Sequence, residues 1–252
     1  MMPARSAYIH VPFCDHRCGY CNFTLVAGRD DLVSAYLDAL QAELWGTLAE
    51  PLEVDTIFLG GGTPSHLPAA ELQRLLDTLR TRLLLSPTGE FSCEANPLDC
   101  TPQRLSLLRD YGVNRISLGG QSFHDSKLQV LERDHTGEQL RTAVERCAEY
   151  FSNVSLDLIF AAPGESLADW QADLRRAMDS PLQHVSSYGL TIERGSAFYG
   201  RVLKNQLSEL SSEEQLAMYE HAIDALVGRG WEHYEVSSFC RPGFRCRHNE
   251  AY

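Results

Sequence analysis

The sequence predicts an α/β fold: an open, curved three-quarter barrel of six strand–helix units, with the start of a smaller C-terminal domain behind it. Three observations predict it. Short apolar runs alternate with stretches of helical periodicity six times between residues 8 and 190. Such alternation argues for a parallel sheet, because each crossover helix returns the chain to the same edge. Residues able to do chemistry recur just past the ends of the apolar runs, where sites gather in folds of this kind. After Leu190 the rhythm changes. Six units are too few to close an eight-stranded barrel, so the barrel is expected to stay open.

The first apolar run, Tyr8-Ile9-His10-Val11, leads into a cysteine-rich loop. Residues 30–45 then place Leu32, Val33, Tyr36, Leu37, Leu40 and Leu44 at helical spacing. Residues 54–59 read as a buried strand that ends in Gly60-Gly61-Gly62-Thr63-Pro64. Pro68 opens a helix to about residue 84, with Leu72, Leu75, Leu76 and Leu79 on one face. A strand at 90–94 precedes a helix started by Thr101-Pro102, a cap followed by proline at the first helical position. A strand at 115–119 has polar Gln121 just beyond it, and Thr136-x-x-Gln139 is a capping box opening a helix to about residue 150. A strand at 154–160, a helix from the Ser166 cap to about residue 178 and a strand at 184–190 complete the sixth unit. Residues 191–195 look like a turn, Ser211-x-x-Glu214 caps a helix to about residue 227, and residues 231–237 read as one more strand. The expected division is therefore 1–195 for the partial barrel and 196–252 for the beginning of a second domain, which looks cut short.

The 252 residues carry 22 Lys and Arg against 34 Asp and Glu, a net charge of 22 − 34 = −12. A protein that grips nucleic acid shows a basic excess or stripe, and neither is visible, so nucleic acid is not an expected partner. No apolar run approaches the length of a transmembrane segment, and the N-terminus lacks the apolar stretch of a signal peptide. Eight cysteines without a secretory signal point to a reducing cytoplasm.

Cys14-Asp15-His16-Arg17-Cys18-Gly19-Tyr20-Cys21 gathers three thiols at C-x3-C-x2-C spacing. Cysteine thiolate is the usual ligand of iron–sulfur clusters, and a closed cluster wants four. Asn22 and Phe23 follow Cys21, so the spacing suggests a four-iron cluster with one iron open to a ligand from outside the chain. Zinc on three cysteines and His10 or His16 stays possible at this point. Structural zinc sites usually pair two cysteine knuckles, whereas Cys93, Cys100, Cys147, Cys240 and Cys246 are scattered.

The glycine loop after residue 59 lacks the Gly-Lys-Ser/Thr ending of a P-loop, and Ser65 stands where the dinucleotide fingerprint needs its third glycine. What remains is bare backbone able to approach a ligand, or a tight turn with no ligand.

Cys-x3-Cys-x2-Cys followed by Gly-Gly-Gly-Thr-Pro resembles the radical S-adenosylmethionine (SAM) enzymes. More narrowly, the chain is similar to the group containing oxygen-independent coproporphyrinogen III oxidases and haem chaperones. The resemblance rests on Tyr8-Ile9-His10-Val11-Pro12-Phe13-Cys14, Phe58-Leu59-Gly60-Gly61-Gly62-Thr63-Pro64-Ser65, Glu94-Ala95-Asn96-Pro97, Gly112-Val113-Asn114-Arg115, Gln121-Ser122-Phe123, Asp157-Leu158-Ile159-Phe160 and Arg247-His248-Asn249-x-x-Tyr252. It implies a partial barrel of the radical SAM type and a [4Fe-4S] cluster on Cys14, Cys18 and Cys21. The open iron of that cluster would bind the amino and carboxylate groups of SAM. Carried over by position, Tyr8, Tyr20, Gly61, Gly62, Thr63, Glu94, Gln121, Arg133, Asp157 and Gly189 would line the SAM site. Glycine backbone would meet the methionine amino group, Glu94 or Asp157 the ribose hydroxyls, and Arg133 the SAM carboxylate; a structural Arg133–Asp157 ion pair is the plainer alternative. In the family a reduced cluster passes one electron to SAM, which requires an electron donor and releases methionine and a 5′-deoxyadenosyl radical.

Within the group, the oxidases have a fourth cysteine soon after the triad and a longer N-terminal extension. Here Asn22-Phe23 follows the triad and seven residues precede Tyr8. Both departures favour the chaperone branch, as does His248-Asn249-x-x-Tyr252, which resembles its haem-binding motif and makes His248 a candidate axial ligand. The resemblance therefore implies a protein that binds haem and delivers it to acceptor proteins, with residues 196–252 opening a haem or substrate domain. The alternative is radical decarboxylation of coproporphyrinogen III, with porphyrinogen as substrate; tRNA modification is disfavoured by the acidic balance. Gly120, and Ala161-Ala162 before Pro163, depart from the family pattern without touching a proposed ligand.

Overall fold

The computed structural model describes residues 4–251, and they form two compact units. The first unit holds the described residues up to Arg17, then Phe23–Ile116, and the chain from Cys246 on. It contains strand β1 (Ser6–Val11), the two-residue strands β2 (Phe13–Cys14) and β3 (Val26–Ala27), helix α1 (Val33–Thr47), strand β4 (Leu52–Gly61), helix α2 (Ala69–Arg80), strand β5 (Leu83–Ala95) and helix α3 (Pro102–Asp110). Strands β1, β4 and β5 lie side by side in that order and parallel, in register from Ser6↔Thr56 to Val11↔Gly61 and from Leu52↔Leu83 to Leu59↔Cys93. Parallel pairing needs covered faces. Helix α2 supplies cover by burying Leu72, Leu75, Leu76 and Leu79, and α1 packs beside it.

Two boundaries differ from the sequence reading. The helix expected to reach residue 84 stops at Arg80, and the strand expected from residue 90 starts at Leu83. Leu83, Leu84 and Leu85 pair with Leu52, Glu53 and Val54, and the register then jumps to Thr56↔Glu90. The chain leaves the ladder at Ser86-Pro87-Thr88-Gly89, where proline has no N–H to give. Asn114 closes the excursion, accepting from Phe91 N at 2.9 Å and donating to Gly89 O at 2.9 Å.

Strand β6 (Arg115–Gln121) begins in the first unit and ends in the second. The second unit, Cys18–Asn22 with Ser117–Arg245, continues through α4 (Asp125–Val130), α5 (Gly137–Tyr150), β7 (Val154–Phe160), α6 (Leu167–Met178), β8 (His184–Gly189), α7 (Ala197–Leu203), α8 (Ser212–Val227), β9 (Glu232–Glu235) and β10 (Ser238–Cys240). Of the four caps read from the sequence, Thr101 accepts from Arg104 N, and three close as reciprocal boxes: Thr136 with Gln139, Ser166 with Asp169 and Ser211 with Glu214. Helices α6 and α8 pack through fully buried Trp170, whose indole N–H donates to Met218 O at 2.9 Å.

The single strand expected over 231–237 is instead the hairpin β9–β10, and β10 pairs antiparallel with β8. Buried His184 fastens it, with Nδ1 2.8 Å from Ser155 Oγ and Nε2 2.8 Å from Tyr234 Oη. The strand order in this unit is β6-β7-β8-β10-β9, parallel between β7 and β8. No helix of the described residues is long and apolar enough to cross a membrane.

A buried ionic knot stiffens the second unit. Lys127 Nζ lies 2.5 Å from Glu165 and 3.1 Å from Asp173, and Asp173 also accepts from Ser122 Oγ and Phe123 N. Removing the cation strands two buried carboxylates, a loss of about 3–5 kcal/mol. Lys127→Met is expected to lower unfolding stability by about 3 kcal/mol, measured as a fall in the urea midpoint; an unchanged midpoint would contradict the knot.

Candidate functional site

In the first unit, the residues expected at the sheet's rim meet where β1, β4 and β5 end. The β1 terminus leads through Pro12 into β2, so Cys14 is buried with Sγ 3.3 Å from Thr63 Oγ1. Gly62 N donates to Val11 O at 2.7 Å and Thr63 N to Phe13 O at 2.8 Å, stitching the glycine turn to the start of the cysteine loop. Gly61 N donates to Glu94 Oε2 at 3.1 Å. The glycines are required by packing as well as by any ligand. Gly61 has φ +110° with the His10 ring against it, and a Cβ on Gly62 would lie 2.7 Å from Phe13 O.

Tyr8 and His248 pair with each other, some way along the strands from that rim. Tyr8 is 44% exposed, with its ring centroid 5.9 Å from Phe58 and 6.1 Å from His248. His248 is only 4% exposed, with Nδ1 2.9 Å from Thr56 Oγ1 and its ring 5.1 Å from Phe58. Glu90 fixes the backbone here, accepting from Arg247 N at 3.2 Å and His248 N at 3.4 Å. Burial holds the His248 imidazole below its ordinary pKa, with Glu90 opposing. Tyr252, the last residue of the terminal motif, lies outside the described residues.

In the second unit, Cys18 and Cys21 share a turn, Cys21 N donating to Cys18 O at 3.0 Å. Arg133 reaches that turn: Nη1 donates to Cys18 Sγ at 3.6 Å and Nη2 to Gly119 O at 2.8 Å. Burial pushes the Cys18 thiol up and the guanidinium pulls against it. Tyr20 packs on Leu131, Ile159 and Ala162, and burial pushes its phenol up as well. Gly19 is crowded by the Phe198 ring of α7, whose N–H donates to Gly19 O at 2.9 Å. Asp157 accepts from Ser117 Oγ at 3.3 Å. Gln121 is buried at the end of β6 with φ +65°, and Gly189 ends β8 where a Cβ would lie 3.1 Å from the Phe160 ring. Ser117 and Glu90 escaped the sequence reading as site residues. The signal for Ser117 was its alternate position on a strand that also ends in Gln121.

The family model described as the Radical SAM superfamily matches residues 8–177, and the chain belongs to that family. The chain is 40% identical over 248 residues to a protein of Lactococcus lactis subsp. lactis named heme chaperone HemW, covering 98% of this chain and 65% of that protein. It is 36% identical over 258 residues to the HemW of Escherichia coli, covering 100% of this chain and 66% of that protein. The chain thus spans about two thirds of the length of these curated relatives. Among solved structures, coproporphyrinogen III oxidase HemN from Escherichia coli matches with TM-score 0.85 at 24% identity, covering 96% of this chain and 56% of that one. The expected α/β fold of the radical SAM type, with its largely parallel sheet, is therefore the fold found.

Family membership brings a [4Fe-4S] cluster and SAM, and the donor chemistry fits them. All eight cysteines lie outside disulfides. Arg133 is half-buried, and its enclosed Nε lacks any hydrogen-bond partner, an orphaned donor beside Cys18.

Gly62→Ala is expected to displace the turn at a cost of about 1–3 kcal/mol, measured by chemical unfolding; wild-type stability would contradict the crowding. Because folding lowers the His248 pKa, the imidazole's contribution is present above its unfolded value of 6.5 and fades as pH falls through the folded one. Hydrogen exchange at Arg247 and His248 is expected to lose protection between pH 7 and pH 5, relative to amides elsewhere in the sheet. Unchanged relative protection would contradict the assignment.

Proposed function

We propose that this protein is a haem chaperone of the radical SAM family, a cytoplasmic protein that binds haem and passes it to acceptor proteins. The observation that carries the reading is 36–41% identity across almost the whole chain to proteins named heme chaperone HemW. Asn22, in place of a further thiol after Cys21, supports it. Cys14, Cys18 and Cys21 would hold the cluster, which when bound would supply an electron and an open iron for SAM. Tyr8, Tyr20, Gly61, Gly62, Thr63, Glu94, Gln121, Arg133, Asp157 and Gly189 are the proposed SAM contacts.

The chain's own residues do the positioning. Glu94 holds the Gly61 amide, Thr63 stands against Cys14, and Ser117 orients Asp157. Half-buried Tyr20 anchors the Cys18 turn by packing on buried Leu131 and Ile159. Residues 196–252 are proposed as the entry to the part that meets haem. His248 can serve as an axial ligand only if residues 246–251 leave Thr56 and Glu90, since the imidazole is buried in the described conformation.

Anaerobically reconstituted protein is expected to bind haem and transfer it to apo-myoglobin, followed by the Soret band, without releasing carbon dioxide from coproporphyrinogen III. Stoichiometric carbon dioxide release would replace this reading with the oxidase. Serine at Cys14, Cys18 or Cys21 is expected to reduce bound iron to background; retained iron would remove that residue from the ligand set.

A further inference from the structure

Helix α4 ends in a way that aims one side chain. Glu132 N donates to Gln129 O at 3.1 Å and Arg133 N to Leu128 O at 2.9 Å, the paired bonds of a Schellman motif. The left-handed position falls on Glu132, at φ +57°, where glycine is usual. An ion pair from Glu132 to Arg201 of α7 holds this unfavoured turn. The reversal sends Arg133 inward to the Cys18 turn.

The guanidinium is buried, yet its hydrogen bonds go to neutral groups: the Cys18 thiol, the Gly119 carbonyl and the Tyr20 phenol. Its Nε has no partner. A buried cation costs much unless an anion accompanies it, and Asp134 supplies part of that charge here. A cysteine sulfur bound to iron is a thiolate and carries such charge.

We propose that Arg133 is a positioning residue for the iron–sulfur cluster: its N–H···S bond orients Cys18 and raises the cluster's reduction potential. The proposal rests on Cys18 being a cluster ligand. On reduction the cluster gains one electron from an external low-potential donor, no protein bond breaks, and the guanidinium keeps its protons. The added negative charge spreads onto the sulfurs, and hydrogen bonds to those sulfurs favour that state. Nε remains the edge from which Arg133 can meet a SAM carboxylate, whereas the bond to sulfur exists without SAM.

The test is a dithionite titration of SAM-free reconstituted protein, monitored by electron paramagnetic resonance, with iron counted in each sample. Arg133→Met is expected to shift the reduction equilibrium tenfold toward the oxidised state, about 59 mV for one electron. Arg133→Lys, which keeps the charge and loses the fork, is expected to shift it less in the same direction. Equal potentials in all three would overturn the proposal, as would a folded Arg133→Met that loads no iron. Unmodified protein labelled with 15N-arginine supplies a check independent of the variants: the reduced cluster should show nitrogen hyperfine coupling, and its absence overturns the contact. Wild-type protein that holds no cluster removes the ligand assignment itself, a failure distinct from a loaded cluster of unchanged potential.

Discussion

Three thiolates fill three corners of a four-iron cluster and leave the fourth iron to a ligand from outside the chain. On the proposed ligand set, that deficit gives the rest of the chain its site. All three thiols come from one eight-residue stretch of the sequence. The loop is held by its neighbours: Cys14 against Thr63, the Cys18 turn under Arg133, and Gly19 beneath the ring of Phe198.

The glycine run works by subtraction. Side chains at Gly60, Gly61 and Gly62 would meet Glu94, the His10 ring and the Pro12–Phe13 backbone in turn. Their absence lets two strand ends and the start of the cysteine loop come within hydrogen-bonding distance, and Gly61 N reaches Glu94 as a result. Family membership and packing thus demand the same residues for separate reasons. A ligand is not needed to explain the glycines, though their bareness leaves room for one.

Much of the fold was legible because its signals are local. Thr136 with Gln139 and Ser211 with Glu214 announce helix starts within four residues, and each start lies where the spacing placed it. The beginning of β5 was hidden because Leu83–Leu85 continue an apolar pattern that fits helix or strand, and only pairing with β4 decides. The β9–β10 hairpin was hidden for the same reason, since its register is set by β8 and by His184. Of the site, the cysteines and glycines were visible as motifs. The burial of His248 was not, because it is decided by Thr56 and Glu90, more than 150 positions away. The bond from Arg133 to Cys18 spans 115 positions and leaves no trace in either local sequence.

The most direct measurement is the iron and sulfide content of anaerobically reconstituted protein, with its electron paramagnetic resonance spectrum before and after SAM is added. Four irons and four sulfides per chain, with a spectrum that changes when SAM occupies the open iron, is the expected result. One zinc per chain in a filled tetrahedron, or a loaded cluster whose spectrum ignores SAM, would contradict it.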